Sequence, residues 1–178
     1  ASPSDAAAVF KDGIEVRADG IYLNGKKFFI NAIGYAGWRP GQWPGTDPVD
    51  LKLMDWDFQM IRAAGFNTIR TWDALTPLQL DLAKRHDLKV VQGIWIDPNR
   101  NFADTSFVTD SLSYVRKVVS WSKDYNNVLM YLVMTEPKAQ AVLEAGVDKT
   151  VTFFKNVKEA IQQIDPKPVS MDSWIPLG

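Results

Sequence analysis

The chain contains no cysteine. Disulfides, thiolate nucleophiles and zinc–thiolate sites are therefore excluded, while the compartment stays undecided because secreted and cytosolic proteins can both lack cysteine. Histidine is almost absent too, with one in 178 residues. His86, in Lys84-Arg85-His86-Asp87, reads as a helix-end cation that complements the helix dipole, away from any catalytic position. A single imidazole without thiols leaves a transition-metal site short of ligands, so only an all-carboxylate Mg²⁺ or Ca²⁺ site stays open, and no metal or other cofactor is expected. An excess of either charge is missing as well: 20 basic residues stand against 21 acidic ones. That balance offers no electrostatic footprint for nucleic acid or an anionic membrane. Apolar runs such as Val128 to Met134 are far shorter than the ~20 residues a membrane-spanning helix needs.

What is abundant is apolar material, 46% of the residues, with seven tryptophans. This is enough for one substantial core. The opening Ala-Ser-Pro-Ser-Asp-Ala-Ala-Ala fits either a remnant of signal-peptide removal or an artificial leader. Residues 1–12 are expected to be a flexible leader, and residues 13–178 a single domain.

From Gly13 to Ile33 apolar and polar residues alternate around two turn signals, Ala18-Asp19-Gly20 and Asn24-Gly25. The pattern predicts a short antiparallel hairpin leading into a first core strand, Phe28 to Ile33. After an aromatic, Gly/Pro-rich loop, Asp47-Pro48 predicts a helix start, with Leu51, Met54, Phe58 and Ile61 as its inner stripe and Gly65 as its end. The grammar then repeats. Phe66 to Trp72 predicts a second strand, and Thr76-Pro77-Leu78-Gln79 a capping box opening the next helix. Leu88 to Trp95 predicts a third strand, followed by a helix with Val108, Leu112, Val115 and Val119 inside. Val128 to Met134 predicts a fourth strand, followed by a helix marked by Val147, Val151, Phe154, Ile161 and Ile164, and Pro168 to Met171 a fifth strand.

Alternating strands and helices, with nearly continuous apolar strands, imply an α/β fold whose parallel sheet is covered on both faces. An open doubly wound sheet and a closed barrel both satisfy this. The first turn, Gly34-Tyr35-Ala36-Gly37-Trp38, lacks the G-x-G-x-x-G spacing of a nucleotide site, which favours a parallel (β/α) TIM-type barrel. A complete one has eight strands and about 250 residues. Five strands preceded by a hairpin correspond to its N-terminal portion, so either the sequence is a fragment or a partial barrel completes itself with another chain. The fragment is favoured, because an unfinished barrel leaves two strand edges open to aggregation.

A barrel places its active site at the C-terminal ends of its strands. Strand one presents Tyr35, Trp38 and Trp43. Strand two presents Arg70, Trp72 and Asp73, strand three Trp95 and Asp97, strand four Thr135 and Glu136, and strand five Asp172 and Trp174. Aromatic faces stack on the apolar faces of sugar rings, and carboxylates protonate or attack a glycosidic centre. Each such residue could equally plug a barrel mouth or cap a helix, but their recurrence at every strand end points to a carbohydrate site. Glu136 is the sharpest candidate, since it follows an apolar strand directly and precedes Pro137, where the backbone must leave the sheet. Half-burial among aromatics would suit it to general-acid work.

The stretch from Gly20 to Trp174 resembles the TIM-barrel glycoside hydrolases of the large retaining clan, which includes β-galactosidase/β-glucuronidase-like and cellulase/mannanase-like families. The matching pieces are Leu23-Asn24-Gly25-Lys26-Lys27-Phe28-Phe29, the run Met60 to Arg70, and Val133-Met134-Thr135-Glu136-Pro137. The resemblance implies that Glu136 is the acid/base and that Arg70 helps to hold the nucleophile. It departs at Thr135, where the family has an asparagine that binds the sugar 2-hydroxyl, and in the nucleophile, a glutamate after strand seven that these 178 residues do not contain. The expected activity is retaining hydrolysis or transglycosylation of a β-linked oligo- or polysaccharide, with the isolated chain inactive. The alternatives are a non-catalytic carbohydrate-binding or scaffold barrel, and a half-barrel enzyme pairing Glu136 with Asp97 or Asp172. Expected partners are the carbohydrate and either the remaining barrel half or a second copy meeting the open strand edges.

Overall fold

The computed structural model describes residues 8–42, 48–133 and 136–172. Four short antiparallel strands come first: β1 (Ala8–Val9), β2 (Ile14–Arg17), β3 (Gly20–Leu23) and β4 (Lys26–Phe28), hydrogen-bonded in that order. The turns between β2 and β3 and between β3 and β4 fall at the two sequence signals, and Asn24 and Gly25 both take positive φ, as a tight hairpin connection demands.

A five-stranded parallel sheet follows, β5 (Ala32–Tyr35), β6 (Thr68–Thr71), β7 (Lys89–Ile94), β8 (Val128–Val133) and β9 (Val169–Met171), in sequential order. Helices α1 (Leu51–Ala63), α2 (Pro77–Arg85), α3 (Thr105–Ser122), α4 (Ala139–Ala145) and α5 (Val147–Gln162) make the crossovers. The fold class is thus α/β, with a parallel sheet preceded by an antiparallel one. Sequential strand order with a helix in every crossover is the local pattern of a β/α barrel.

The first core strand is Ala32–Tyr35, later than the predicted Phe28 to Ile33. Two strands share that stretch, and Asn31 separates them. Its amide donates to the Gly65 carbonyl, and its backbone N–H donates to Asn67 Oδ1 at 3.0 Å, so the chain leaves the first sheet before it enters the second. Helix α1 starts at Leu51, with Asp50 as its N-cap accepting from the Lys52 and Leu53 amides. The predicted cap Asp47 lies outside the described residues. Met54 and Phe58 are buried as expected, but Leu51, in the first turn, is exposed. The predicted box at Thr76 to Gln79 is present: the Thr76 amide donates to Gln79 Oε1 at 2.9 Å. In α5 the inner face is Thr150, Phe153, Val157, Ala160 and Ile161, while Val147 and Val151 are exposed. The predicted stripe was rotated because Phe153 and Phe154 are adjacent and both apolar. Phe153 is the deeper one, stacked 5.3 Å from Phe102.

The antiparallel sheet closes the N-terminal end of the parallel strands, the floor. Lys167 Nζ, wholly buried, lies 2.9 Å from Asp165 Oδ2 and 3.1 Å from Asp12 Oδ2, and donates to the Lys123 carbonyl at 3.1 Å. Tyr131 donates its hydroxyl to the same Asp165 oxygen at 2.8 Å. Burial, and then the adjacent Asp165, push the Tyr131 phenol up, keeping it a neutral donor. Lys11 reaches the same Lys123 carbonyl, so the N-terminal segment is tied to the floor by two lysines.

Candidate functional site

At the opposite end, the C-terminal tips of β5, β6 and β7 border a cleft of about 840 Å³. Such a volume lies within the range of small-molecule sites. Of the predicted site residues, Tyr35, Trp38, Trp72, Asp73 and Trp95 line it together. Trp43, Thr135 and Trp174 lie outside the described residues.

Trp72 is the centre of the arrangement. Arg70, two residues earlier, lies with its guanidinium carbon 4.4 Å from the indole ring, a cation–π contact. Gly34 is the register partner of Arg70 on β5, so it presents the same face of the sheet. The indole rests against it: a Cβ placed on Gly34 would come within 2.9 Å of Trp72 Cη2 and 3.3 Å of Cζ3. Glycine at this position is what lets the ring lie across strand one. Gly93 serves a similar purpose on β7, where a side chain would collide with the Thr71 and Trp72 carbonyls, and its amide donates to Thr71 Oγ1 at 3.0 Å.

Arg70 also donates to Asp172 Oδ2 at 3.1 Å. Asp172 follows β9, and β7 and β8 stand between it and β6. With neighbouring strands about 4.8 Å apart, three steps would put β6 and β9 about 14 Å apart in a flat sheet. The direct ion pair therefore reports a sheet curled toward Arg70. Arg70 and Asp172 meet across its concave side.

Glu136 follows β8 and takes φ +63°, a left-handed conformation that costs a non-glycine residue strain. Its side chain is 49% exposed, with Lys138 Nζ at 3.9 Å. It does not line the cleft around Trp72. Asp97 is engaged locally, accepting from both the backbone and side-chain nitrogens of Asn99 at 2.9 Å. Tyr35 lines the cleft, but its hydroxyl is committed to Asp57 at 2.8 Å, and Arg39 holds the same carboxylate oxygen at 2.7 Å. Burial and that bond push the Tyr35 phenol up. Asp73 is exposed, yet partial desolvation of its carboxyl against the cleft wall raises it above its ordinary value, and a hydrogen bond from Trp38 partly opposes this. His86 sits at the far end of α2, with Nε2 2.6 Å from Asp55 Oδ1 and its ring edge-on to Phe58.

Sequence reasoning missed Gly34, Gly93, the Tyr35–Asp57–Arg39 cluster and the outer wall of the cleft, formed by Val49, Leu51, Leu75 and Leu78. Leu51 and Leu78 fit helical apolar patterns, and only their exposure of 40% and 67% marks them as surface.

A scan against protein-family models and a search of curated proteins return no match for this sequence. Solved structures do match. A GH2 β-galacturonidase from Eisenbergiella tayi, bound to galacturonate, superposes with a TM-score of 0.74 at 20% identity, over 90% of this chain and 28% of that one. The fold is that of these glycosidases. A β-D-glucuronidase from Dictyoglomus thermophilum gives 0.71 at 22% identity, covering 89% of this chain and 28% of its own. A Ruminococcus gnavus β-glucuronidase, complexed with a C6-substituted uronic isofagomine, gives 0.72 at 14%, covering 86% and 26%. The chain thus spans little more than a quarter of the length of the proteins it resembles.

Proposed function

We propose that this chain is a glycoside hydrolase-type domain of the retaining clan, acting on a β-linked carbohydrate. Glu136 is its acid/base, and its nucleophile lies outside these 178 residues. The observation that carries the reading is Arg70. It stands at the tip of the second strand of a curled parallel sheet, directed to the concave side and already holding the carboxylate of Asp172. A guanidinium there is suited to bind and orient a catalytic carboxylate through charge-assisted hydrogen bonds. Glu136 stands at the tip of the fourth strand, in a strained conformation of the kind that accompanies catalytic positions. The likeness to β-glucuronidases supports the reading at the level of the fold. The partner expected beyond the carbohydrate is the polypeptide that completes the barrel at the open edges of β5 and β9.

In this scheme the Glu136 carboxyl protonates the leaving-group oxygen as the glycosidic bond breaks, then, as carboxylate, takes a proton from the water that releases the sugar. Arg70 keeps the attacking carboxylate ionised and aligned. The half-barrel alternative needs a second free carboxyl about 5–5.5 Å from Glu136 for retention or about 6.5–9.5 Å for inversion. Asp97 is engaged by the backbone and side chain of Asn99, which counts against it as that second carboxyl.

The test is hydrolysis of aryl β-glycosides by the purified 178-residue chain, and by any longer polypeptide from the same gene. The short chain is expected to be inactive. In an active longer form, Glu136→Gln should lower turnover about 10²–10⁴-fold, least for substrates with good leaving groups, and Glu136→Ala should regain activity with azide. Turnover by the short chain that Glu136→Gln abolishes would refute the missing nucleophile. An active longer form indifferent to Glu136 would refute the acid/base assignment.

A further inference from the structure

Trp72 and Trp95 line the cleft with nearly equal exposure, 41% and 40%, but they are held differently. Among the described residues no cation lies over Trp95, whereas the Arg70 guanidinium carbon stands 4.4 Å from the Trp72 ring and covers one face of it. Stacking on a sugar takes an open aromatic face. Trp95 keeps both of its faces from any cation, and Trp72 has lost one to Arg70. The indole of Trp72 is fixed from two further sides. Its far edge rests on Gly34, where a Cβ would come within 2.9 Å of Cη2, and its backbone carbonyl lies against Gly93, where a Cβ would collide with it. Arg70 on β6 and Trp72 just past its end are two residues apart, so both side chains leave the same face of the sheet. The Arg70 side chain is 20% exposed and donates to Asp172 Oδ2 at 3.1 Å. An arginine side chain is long and rich in rotamers, and its planar guanidinium offers donors only along its edges. To meet a carboxylate at one fixed place it must be held flat and turned the right way. The indole beneath it does the first, and the cation–π attraction opposes its leaving.

We propose that Trp72 is a positioning residue acting through Arg70. Its indole, itself fixed by Gly34 and Gly93, is the shelf that keeps the guanidinium edge turned to the concave side, where it binds a carboxylate. That the carboxylate bound in catalysis is a nucleophile rests on the function proposed above, whereas the shelf rests on contacts within this chain. Arg70 already holds one carboxylate here, that of Asp172, so the effect of the shelf can be read on Asp172 without any substrate. The exposed remainder of the Trp72 ring borders the cleft, but the loss felt on removing the ring passes through Arg70.

Carbon-detected NMR of the Asp172 side-chain carboxyl tests this in the wild type, Trp72→Phe, Trp72→Leu and Gly34→Ala. Arg70→Met supplies the signal of Asp172 without its partner, and the Tyr131 and Lys167 amides at the floor are the folding control. A phenyl ring keeps a cation–π face, so Trp72→Phe should leave the Asp172 signal near its wild-type position. Trp72→Leu, apolar but without that face, should move it most of the way to the Arg70→Met value. Gly34→Ala, which displaces the indole with all three side chains present, should move it in the same direction. With the contact gone, exchange of the Arg70 Nε–H with water should quicken about two- to fivefold. An Asp172 signal at the wild-type position in Trp72→Leu, or at the Arg70→Met position in Trp72→Phe, would overturn the shelf. Should Trp72→Leu not fold, an unmoved signal in Gly34→Ala would do the same. In an active longer polypeptide from the gene, Trp72→Leu should lower kcat with KM unchanged, and Trp72→Phe should retain most of the rate. A raised KM with kcat intact would make Trp72 a sugar platform and overturn its positioning role. Longer forms without any activity would count against the proposed function and leave the shelf standing.

Discussion

The two ends of the parallel sheet are built on opposite rules. At the floor, Lys167, Asp165 and Tyr131 form a buried network closed by Asp12 and the Lys123 carbonyl, with Lys167 and Asp165 showing no side-chain exposure. At the mouth, the ion pair of Arg70 leaves its Asp172 partner 50% exposed, Glu136 is strained and open, and apolar side chains stand in solvent. Removing one partner of a buried ion pair leaves an uncompensated charge, so the floor tolerates little change. The mouth holds unmet bonding capacity and exposed apolar surface in place of stability, which is what a binding surface requires. Buried charge is concentrated at one end and the proposed chemistry at the other, as the division of labour in β/α barrels leads one to expect.

The sharpest way to break that contrast is Lys167→Met. It leaves Asp165 and Asp12 without their cation in a buried site and should destabilise the protein by about 3–5 kcal/mol, read from urea denaturation. A loss under 1 kcal/mol would show that the floor is not the structural end. Next is Gly34→Ala. The new methyl group would press on the Trp72 ring, so a cost of about 1–3 kcal/mol is expected, with a shift in tryptophan emission as the indole is displaced. Arg70→Met and Asp172→Asn should each alter stability by no more than about 1 kcal/mol, since the pair is partly solvated, while weakening glycoside binding. If either unfolded the chain, the mouth would be structural too.

The smallest effect concerns pH. The Asp73 carboxyl is raised above its ordinary 3.8 in the folded state, so the fold favours its protonated form. The stability tied to that form is complete below about pH 3.8 and declines as pH rises through the folded value. Asp73→Asn removes the decline, so its stability relative to wild type should rise from pH 3 to pH 7. The change is small, because the residue remains exposed. No such trend would mean that the carboxyl is fully solvated.

The sequence makes the repeating strands and helices legible, because β-branched runs, capping boxes and glycine stops are local signals. Its failures are equally physical. Nothing local in Phe28 to Ile33 shows that Asn31 will bond to Gly65 and Asn67, and those long-range bonds divide the run between two sheets. Nothing local marks Lys167 for burial, and the fold encloses it completely. At the mouth, tryptophans and carboxylates at strand ends could be picked out by position. Which of them share a cleft could not, since the platform depends on Gly34 lying opposite Arg70 across two strands. Leu51 reads as core from periodicity alone, and only the fold places it, exposed, in the lining of the cleft.

The most direct test of the division between floor and mouth is a ¹H–¹⁵N NMR titration of the chain with a panel of methyl and aryl β-glycosides, uronides included. The account predicts saturable shifts for the indole N–H groups of Trp38, Trp72 and Trp95 and the amides of Arg70 and Asp73, with the Tyr131, Asp165 and Lys167 amides unmoved. Shifts concentrated at the floor, or no saturable shift with any glycoside, would contradict it.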